Sequence, residues 1–264
     1  MNVPTLANSF YNQIIEAARQ EATATGRSLV VTMDDHGDVD PLIKLAQRLG
    51  AVGLIVANHV DDRFAKRLES VIPTVAVSEG SVCDAIPYVS IDNVLSAQMA
   101  VGHLLDIGRR RIALIDGPLS FDFASARLEG YKRALEARGL RYDRTLVRFV
   151  SEAMDWGEAK AASHDLLLSS PRPDAFFCVS DRLAAAAIKA CQEAGLSVPR
   201  DVAVCGHDRQ PFGSFLTPSL TTVSQPVAQL GRTAVRLLLA ILAGERPESV
   251  ILPSELIVRH STIE

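Results

Sequence analysis

Three aspartates follow directly after short apolar segments of the chain: Asp92, Asp181 and Asp208. Short runs rich in β-branched and aromatic residues are typical of buried strands in a parallel sheet. Open α/β sheets bind their ligands beyond the carboxyl ends of the strands. Each carboxylate could therefore hold a ligand hydroxyl, or it could instead start a turn or cap the helix that follows.

A basic residue and several rings could complete such a site. Arg127 lies near the start of a predicted helix, and its guanidinium offers a fixed fork of donors for pairs of hydroxyls or for a carboxylate. Trp156, the only tryptophan, could stack on the apolar face of a pyranose or on a planar base. Phe123, in the loop before Arg127, is a further candidate. Solvent exposure of Arg127 and simple packing of Trp156 are the alternatives.

Two aromatic residues stand at the start of the first predicted helix. Asn8 is a suitable cap for this helix, and Phe10 and Tyr11 lie in its first turn. These rings could line a ligand site, or they could pack in the core as a hydrophobic staple.

Strand and helix patterns alternate along the chain, first over residues 29–107 and again from residue 111 onward. Such a βα repeat requires a parallel sheet with right-handed crossovers and helices on both faces. The sequence therefore predicts an α/β fold.

The composition argues against several classes of protein. With 48% hydrophobic and 22% charged residues among 264, the chain is globular and not disordered. A net charge of -4 and a pI near 5.9 argue against nucleic-acid binding through a broad basic face of this chain. No apolar run approaches the roughly 18 residues of a membrane span. The first residues show neither the basic nor the apolar region of a secretory signal.

Motifs for catalysis, metals and cofactors are not recognisable. The sequence has no HExxH, no GxSxG, no GxGxxG and no phosphate-binding P-loop. The segment Asp-Asp-His-Gly-Asp at 34–38 is interpreted as a solvated loop and not as a metal site, because no second ligand group accompanies it. The four cysteines form no CxxC pair, and Cys178 and Cys205 are predicted to be reduced core residues. We expect no catalytic residues, no metal and no cofactor.

A long ordered set of residues resembles one protein family. The set consists of Val204-x-Gly206-x-Asp208, Leu216-x-Pro218-x-Leu220-Thr221-Thr222-Val223-x-Gln225-Pro226 and Gly231, with further matches at Arg127-Leu128-Glu129-Gly130-Tyr131, Asp181-x-x-Ala184 and Arg259-x-Ser261-Thr262. It is similar to the signature of the LacI/GalR family of bacterial transcriptional regulators. The matches extend over almost the whole chain.

The resemblance implies an α/β fold of two doubly wound parallel-sheet lobes, periplasmic binding protein-like type I, with a ligand cleft between them. Family chains pass between the lobes three times. We therefore expect an N-terminal lobe of residues 1–105 plus 226–248 and a C-terminal lobe of residues 106–225 plus 249–264. Family members carry a helix-turn-helix domain and a hinge before the first strand. We expect that DNA-binding domain to be absent from this chain.

The resemblance also implies roles for single residues. In the family, the arginine of the R-x-x-G-[YFW] motif contacts the effector, which corresponds to Arg127. The rings of a family Asn-Pro-Phe-Phe pattern line the effector cleft and correspond to Phe10 and Tyr11. Ser180 stands where the family usually has asparagine, so the preferred ligand could differ from those of typical sugar repressors. The candidate ligand-binding residues are Phe10, Tyr11, Asp92, Phe123, Arg127, Trp156, Ser180, Asp181 and Asp208.

The function implied by the resemblance is that of the effector-sensing core of a cytoplasmic LacI-type regulator. A small polar, sugar-like effector would allosterically control operator DNA binding through the missing helix-turn-helix. We expect a homodimer that does not contact membranes. The alternative is a periplasmic solute-binding protein for sugar transport, which predicts an export signal and a monomer. The missing signal and the L-x-P-x-L-T-T-V-x-Q-P string disfavour that alternative.

Overall fold

Short strands alternate with helices throughout the computed structural model, which describes residues 1–33, 39–58, 62–78 and 85–263. The strands are β1 (Asn2–Val3), β2 (Thr32–Met33), β3 (Leu54–Val56), β4 (Thr74–Val77), β5 (Tyr88–Ile91), β6 (Ile112–Asp116), β7 (Val147–Phe149), β8 (Ala175–Cys178), β9 (Ala203–His207), β10 (Thr221–Ser224), β11 (Val250–Leu252) and β12 (Glu255–Ile257). The helices are α1 (Ser9–Ala24), α2 (Val39–Arg48), α3 (Asp62–Glu69), α4 (Asn93–Asp106), α5 (Asp122–Glu136), α6 (Trp156–Leu167), α7 (Asp181–Glu193) and α8 (Val227–Leu242). The acidic segment 34–38 and Cys83 lie outside the described residues. Of the helices described, none has the length and apolar character needed to cross a bilayer.

The chain divides into two units, and each is assembled from separate parts of the sequence. The first unit comprises Met1–Ile91 and Pro226–Pro253, and the second comprises Asp92–Gln225 and Ser254–Glu264. The lobes expected from the sequence are also discontinuous.

The unit boundaries differ from the expected ones at two places. Helix α4 lies in the second unit, because it packs on α5 and contacts β9 and β10, whereas residues 92–105 were expected in the N-terminal lobe. Strand β11 pairs with β5, which places residues 250–252 in the first unit. Apolar periodicity identifies the buried face of a helix but not the sheet that this face covers.

The first unit is built on a sheet with strand order β11-β5-β4-β3-β1-β2, in which the recorded pairings are parallel. Ile55 and Val75 join a core cluster with α1 and α8, whereas Leu54, Val56 and Ala76 join a second cluster with α2 and α3. Successive strand residues point to opposite faces of a sheet. Helices therefore cover both faces, as the doubly wound pattern predicts.

The second unit has its own sheet, with strand order β12-β10-β9-β8-β6-β7. Strands β10, β9, β8, β6 and β7 run parallel, and β12 is antiparallel to β10. The carboxyl ends of the five parallel strands therefore lie along one edge of the sheet, which we call the strand-end edge. The two-lobed parallel α/β fold expected from the sequence is confirmed.

The core of the second unit is dense in fully buried side chains. Phe176 and Phe177 on β8 have no exposed surface, and burial of each ring contributes about 1.5–3 kcal/mol. Cys178 and Cys205 lie in the same core, and burial raises the pKa of both thiols. The prediction that these two cysteines are core residues is confirmed.

Helices α4 and α5 approach each other closely at Gly130. A Cβ at this position would overlap the backbone oxygen of Val94 and lie 2.8 Å from the Cβ of Ala97. A backbone atom cannot rotate away as the end of a side chain can, so the contact requires glycine. It also fixes the distance between Asn93, at the start of α4, and Arg127, which lies one turn before Gly130 in α5.

Gly130→Ala is expected to lower the free energy of unfolding by about 2 kcal/mol or more, because the added methyl forces α4 and α5 apart. Gly102→Ala on α4 is the matched control, since a Cβ there meets nothing within 4 Å. The control should gain about 0.5–1 kcal/mol from helix propensity. Urea denaturation measures both changes. Equal effects of the two substitutions would contradict the close helix contact.

Candidate functional site

Asp208 directly follows β9 and is held by two neighbouring side chains. Its Oδ1 accepts a hydrogen bond from Nε2 of Gln225 at 2.8 Å and lies 3.1 Å from Nδ1 of His207. The backbone of Asp208 has a φ of 108°, in a region that residues other than glycine rarely adopt. Strain of this kind costs about 1–3 kcal/mol and is concentrated at binding and catalytic sites. Asp208 thus stands at the predicted strand end with its carboxylate fixed in direction.

His207, the last residue of β9, is a buried and uncharged partner of Asp208. Its Nε2 lies 3.1 Å from Oγ of Ser96 on α4. Burial lowers the pKa of His207 to about 4, the charge of Arg127 acts in the same direction, and Asp208 opposes both. The imidazole is therefore neutral at pH 7. A neutral ring carries a single N–H, and the Ser96 hydroxyl donates its own proton to the backbone carbonyl of Asn93 at 2.9 Å.

Asp181 begins α7, but it does not cap the helix. The cap is Ser180, whose Oγ accepts from the backbone N–H of Leu183 at 3.4 Å. The Asp181 carboxylate accepts at Oδ1 from Oγ1 of Thr222 and at Oδ2 from the backbone N–H of Gln210, both at 2.6 Å. Burial raises the pKa of Asp181 well above its usual value, and the charge of Asp208 adds to this effect. Asp181, which follows β8, therefore bonds both to β10 and to the segment after β9.

Gly206 is required by this buried carboxylate. A Cβ at Gly206 would overlap Oδ1 of Asp181 and lie 3.1 Å from the Cβ of Ala184. The glycine of the Gly-x-Asp motif thus makes room for Asp181, two residues before Asp208.

Arg127 is buried, with 4% of its surface exposed, so its interpretation as an exposed surface residue is wrong. Its Nε donates to Oδ1 of Asn93 at 3.0 Å, and one terminal nitrogen donates to the carbonyl of Val179 at 2.6 Å. The guanidinium carbon lies 4.9 Å from the centre of the Phe123 ring, a cation–π contact. Two predicted site residues, Arg127 and Phe123, are therefore in direct contact.

Asp92 is the N-cap of α4. Its Oδ1 accepts from the backbone N–H of Leu95 at 2.8 Å, and the residue is exposed. The helix-capping interpretation of Asp92 is confirmed, and its role toward a ligand stays a prediction.

Trp156 is the first residue of α6. Asp155 caps this helix by accepting from Gly157 and Glu158. The indole packs against the ring of Phe212 with centroids 5.6 Å apart, and the guanidinium of Arg182 lies 5.6 Å from its centre. Trp156 still exposes 41% of its surface. Part of the ring is thus packed and part is open to another molecule.

The sequence analysis did not predict three further residues at the same edge, which are Asp116, Asn93 and Gln225. Asp116 ends β6 and is fully buried, and burial raises its pKa to about 8 against the opposing effects of the Gly117 N–H and the Arg127 charge. The signal for Asp116 was present, because it ends an apolar strand as the three predicted aspartates do. Gln225 stood inside the family string but was not assigned a role.

These groups share one electrostatic neighbourhood in the second unit. The charge of Arg127 affects the pKa of both His207 and Asp116, and Asp208 affects that of Asp181. Each charged or titratable group at the strand-end edge therefore lies within electrostatic range of at least one other. These groups are Arg127, Asp116, His207, Asp208 and Asp181. Among the side chains that the structure describes, no cluster of three or more histidines, cysteines and acids could hold a metal ion.

Phe10 and Tyr11 belong to the first unit. Phe10 is buried in the core cluster of α1, and Tyr11 packs edge-on against it with ring centroids 5.3 Å apart. Asn8 caps α1 as predicted, accepting from the backbone N–H of Phe10. The packing interpretation describes Phe10 well. A ligand role for either ring stays a prediction.

The sequence matches the model of one protein family, described as a periplasmic binding protein-like domain, over residues 101–262. Among curated proteins, it is similar to the HTH-type transcriptional regulator CelR of Thermobifida fusca. The two are 34% identical over 98% of this chain and 78% of that protein.

Two solved structures are similar to this chain over nearly all of its length. The complex of the transcriptional regulator CelR with cellobiose has a TM-score of 0.87 and 32% identity, covering 96% of this chain and 79% of that one. The lac repressor dimer bound to operator and the anti-inducer ONPF has a TM-score of 0.88 and 26% identity, covering 100% of this chain and 93% of that one.

His207→Gln should change how stability depends on pH. A histidine whose pKa is lowered from 6.5 to about 4 contributes stability above pH 6.5 that is lost as pH falls toward 4, because the unfolded state takes up the proton first. This loss amounts to at most about 3 kcal/mol and should disappear in the variant. Urea denaturation between pH 4 and 7 measures it. His164→Gln, at an exposed position of α6, is the control and should keep the wild-type profile. The same profile in His207→Gln and wild type would contradict a buried neutral imidazole.

Proposed function

Because the chain belongs to the LacI family of transcriptional regulators, we propose that it is the effector-sensing core of such a regulator. Its effector is a small polyhydroxylated metabolite, a sugar or a related compound. The observation that carries this proposal is the row of polar groups at the strand-end edge, in a chain similar over almost its full length to a regulator solved with cellobiose.

The chemistry of the edge suits ligand hydroxyls. Asp208 has one oxygen held by Gln225 and His207, which leaves its second oxygen to accept from a hydroxyl. Arg127 is anchored through Asn93 and the Val179 carbonyl, so its planar donor group has a fixed direction. Groups that are already oriented lose little entropy when a ligand arrives. The exposed part of the Trp156 ring supplies a flat face for a sugar ring.

The relatives favour a regulator over a transport receptor. CelR and the lac repressor are transcriptional regulators, and neither is described as an enzyme or as a solute carrier. The acids at the strand-end edge are held by hydrogen bonds within the protein, and this arrangement serves hydroxyl binding without any catalytic step.

Effector binding controls operator DNA through a shift of conformational population. A ligand that binds one conformation more tightly than another favours that conformation by its difference in binding free energy. The operator is contacted by a helix-turn-helix domain outside these 264 residues, in keeping with the HTH-type relative CelR. The protein acts in the cytoplasm, where its operator is.

The protein forms a homodimer. The similar lac repressor was solved as a dimer bound to operator. Closed two-fold dimers are the commonest symmetric assemblies and match the two-fold symmetry of operator half-sites.

A panel of glucose, ribose, maltose, lactose, cellobiose and cellotriose should contain at least one ligand that raises the melting temperature. A ligand present at 100 times its dissociation constant adds about 2.7 kcal/mol to the free energy of unfolding. Isothermal titration calorimetry then measures the affinity of wild type and variants. Failure of every sugar in the panel to stabilise the protein would contradict the sugar-effector proposal.

Arg127→Lys and Asp208→Asn should each weaken the tightest sugar at least tenfold, or about 1.4 kcal/mol, because they remove the planar donor group and one acceptor. Arg133→Lys is the matched control on α5, where Arg133 pairs with Glu129 at the surface. It should bind within twofold of wild type. Affinities within threefold of wild type for both site variants would show that the sugar binds elsewhere.

Sedimentation equilibrium at micromolar concentration should give about twice the mass of 28.5 kDa calculated for one chain. A single species of one-chain mass over the whole concentration range would contradict the dimer.

A further inference from the structure

The carboxyl group of Asp116 is buried with one oxygen bonded and the other not. Oδ1 accepts from the backbone N–H of Gly117 at 2.8 Å. Oδ2 has no hydrogen-bond partner among the described residues, although the side chain has no exposed surface. A buried polar atom without a partner costs about 1–3 kcal/mol, and such atoms are few in folded proteins. This cost calls for a functional explanation.

Asp116 stands at the strand-end edge, beside residues assigned above to the ligand. It is the last residue of β6, between β8 and β7. A Cβ on the next residue, Gly117, would lie 2.9 Å from Sδ of Met154 and 3.7 Å from the ring of Phe123. Phe123 contacts Arg127, whose charge acts on Asp116. Asp116 is therefore within the same group of side chains as Arg127 and Phe123.

The bonding of Asp116 determines which oxygen can donate. Burial raises the pKa of Asp116 to about 8, so the group is a neutral acid at pH 7. In a neutral acid the carbonyl oxygen is the better acceptor, and the Gly117 N–H assigns that role to Oδ1. The proton is then on Oδ2, which becomes a hydrogen-bond donor without an acceptor in the protein.

We propose that Asp116 is a further effector-binding residue, which donates a hydrogen bond from Oδ2 to an oxygen of the ligand. This inference rests on the function proposed above and adds a specificity determinant to the same site. The acceptor is a hydroxyl, ring or glycosidic oxygen of the sugar. A ligand without an oxygen at that point leaves the buried donor unpaired and binds more weakly. The side chains of Phe123 and Met154 lie against Gly117, the residue after Asp116.

Other charged groups near Asp116 require controls for any effect of pH. Arg127 on α5 is the charged side chain that acts on Asp116 directly. His207 at the end of β9, Asp208 directly after it and Asp181 after β8 lie along the same edge. Arg148 on β7 pairs with Ile115, the residue before Asp116. Substitution of Asp116 itself separates its proton from these groups.

The test is calorimetric titration with the tightest-binding sugar of the panel, from pH 6 to pH 9.5. It compares wild type with Asp116→Asn and Asp116→Val. Asp165→Asn, at an exposed position of α6, is the control. The wild-type affinity should be steady below pH 8 and fall about tenfold per pH unit above it, because binding requires the Asp116 proton. Asp116→Val should bind at least tenfold more weakly at pH 7. Asp116→Asn should restore binding relative to Asp116→Val, since its amide donates at every pH, and it should show no fall above pH 8. Asp165→Asn should follow wild type.

The outcomes separate this inference from the proposed function. If no sugar of the panel binds wild type, the sugar-effector proposal fails, and this inference fails with it. If wild type binds a sugar and Asp116→Val binds it equally well, only the role of Asp116 is overturned. An affinity that rises with pH in wild type, together with weak binding by Asp116→Asn, would also overturn it, because Asp116 would then act as a carboxylate acceptor. If Asp116→Val does not fold, the pH profile of Asp116→Asn against wild type decides alone.

Discussion

The candidate site of the second unit depends on the hydrogen bonds that the buried Asp181 carboxylate accepts. This carboxylate binds the hydroxyl of Thr222 on β10 and the backbone of Gln210 after β9, while Asp181 begins α7 after β8. Hydrogen bonds to buried charged or polar groups are costly to break, because the remaining partner stays unpaired. Gly206 has no side chain, so the carboxylate can reach this position. One aspartate therefore links the segments after β8 and β9 to β10.

This arrangement separates the residues that build the edge from those proposed to bind a ligand. Ser180 caps α7, and the Asp181 carboxylate accepts hydrogen bonds from Thr222 on β10 and from the backbone of Gln210 after β9. Asp208 and Arg127 are oriented by neutral partners, His207 with Gln225 and Asn93 with a backbone carbonyl. A neutral partner orients a charged group without cancelling its charge. Both groups can then act on a ligand while keeping a fixed geometry.

The sequence predicted the fold more completely than the site. The βα repeat and the ordered family string were sufficient for the two-sheet architecture, because apolar periodicity reports directly on burial. That pattern could not show to which unit α4 belongs, because the buried face of a helix is apolar whichever of the two sheets it covers. Ser180 and Asp181 are both good capping types, so only coordinates could assign the cap to Ser180. The buried state of Arg127 and the unpaired oxygen of Asp116 depend on residues far away in the chain.

In the proposed function, hydroxyl-binding groups of the second unit hold the effector at the carboxyl ends of its parallel strands. A crystal structure of the chain grown with its tightest-binding sugar tests this claim most directly. We expect sugar oxygens within about 3.2 Å of the Arg127 guanidinium and of the Asp208 carboxylate. A bound sugar that touches neither group, with both still contacting only protein atoms, would contradict it.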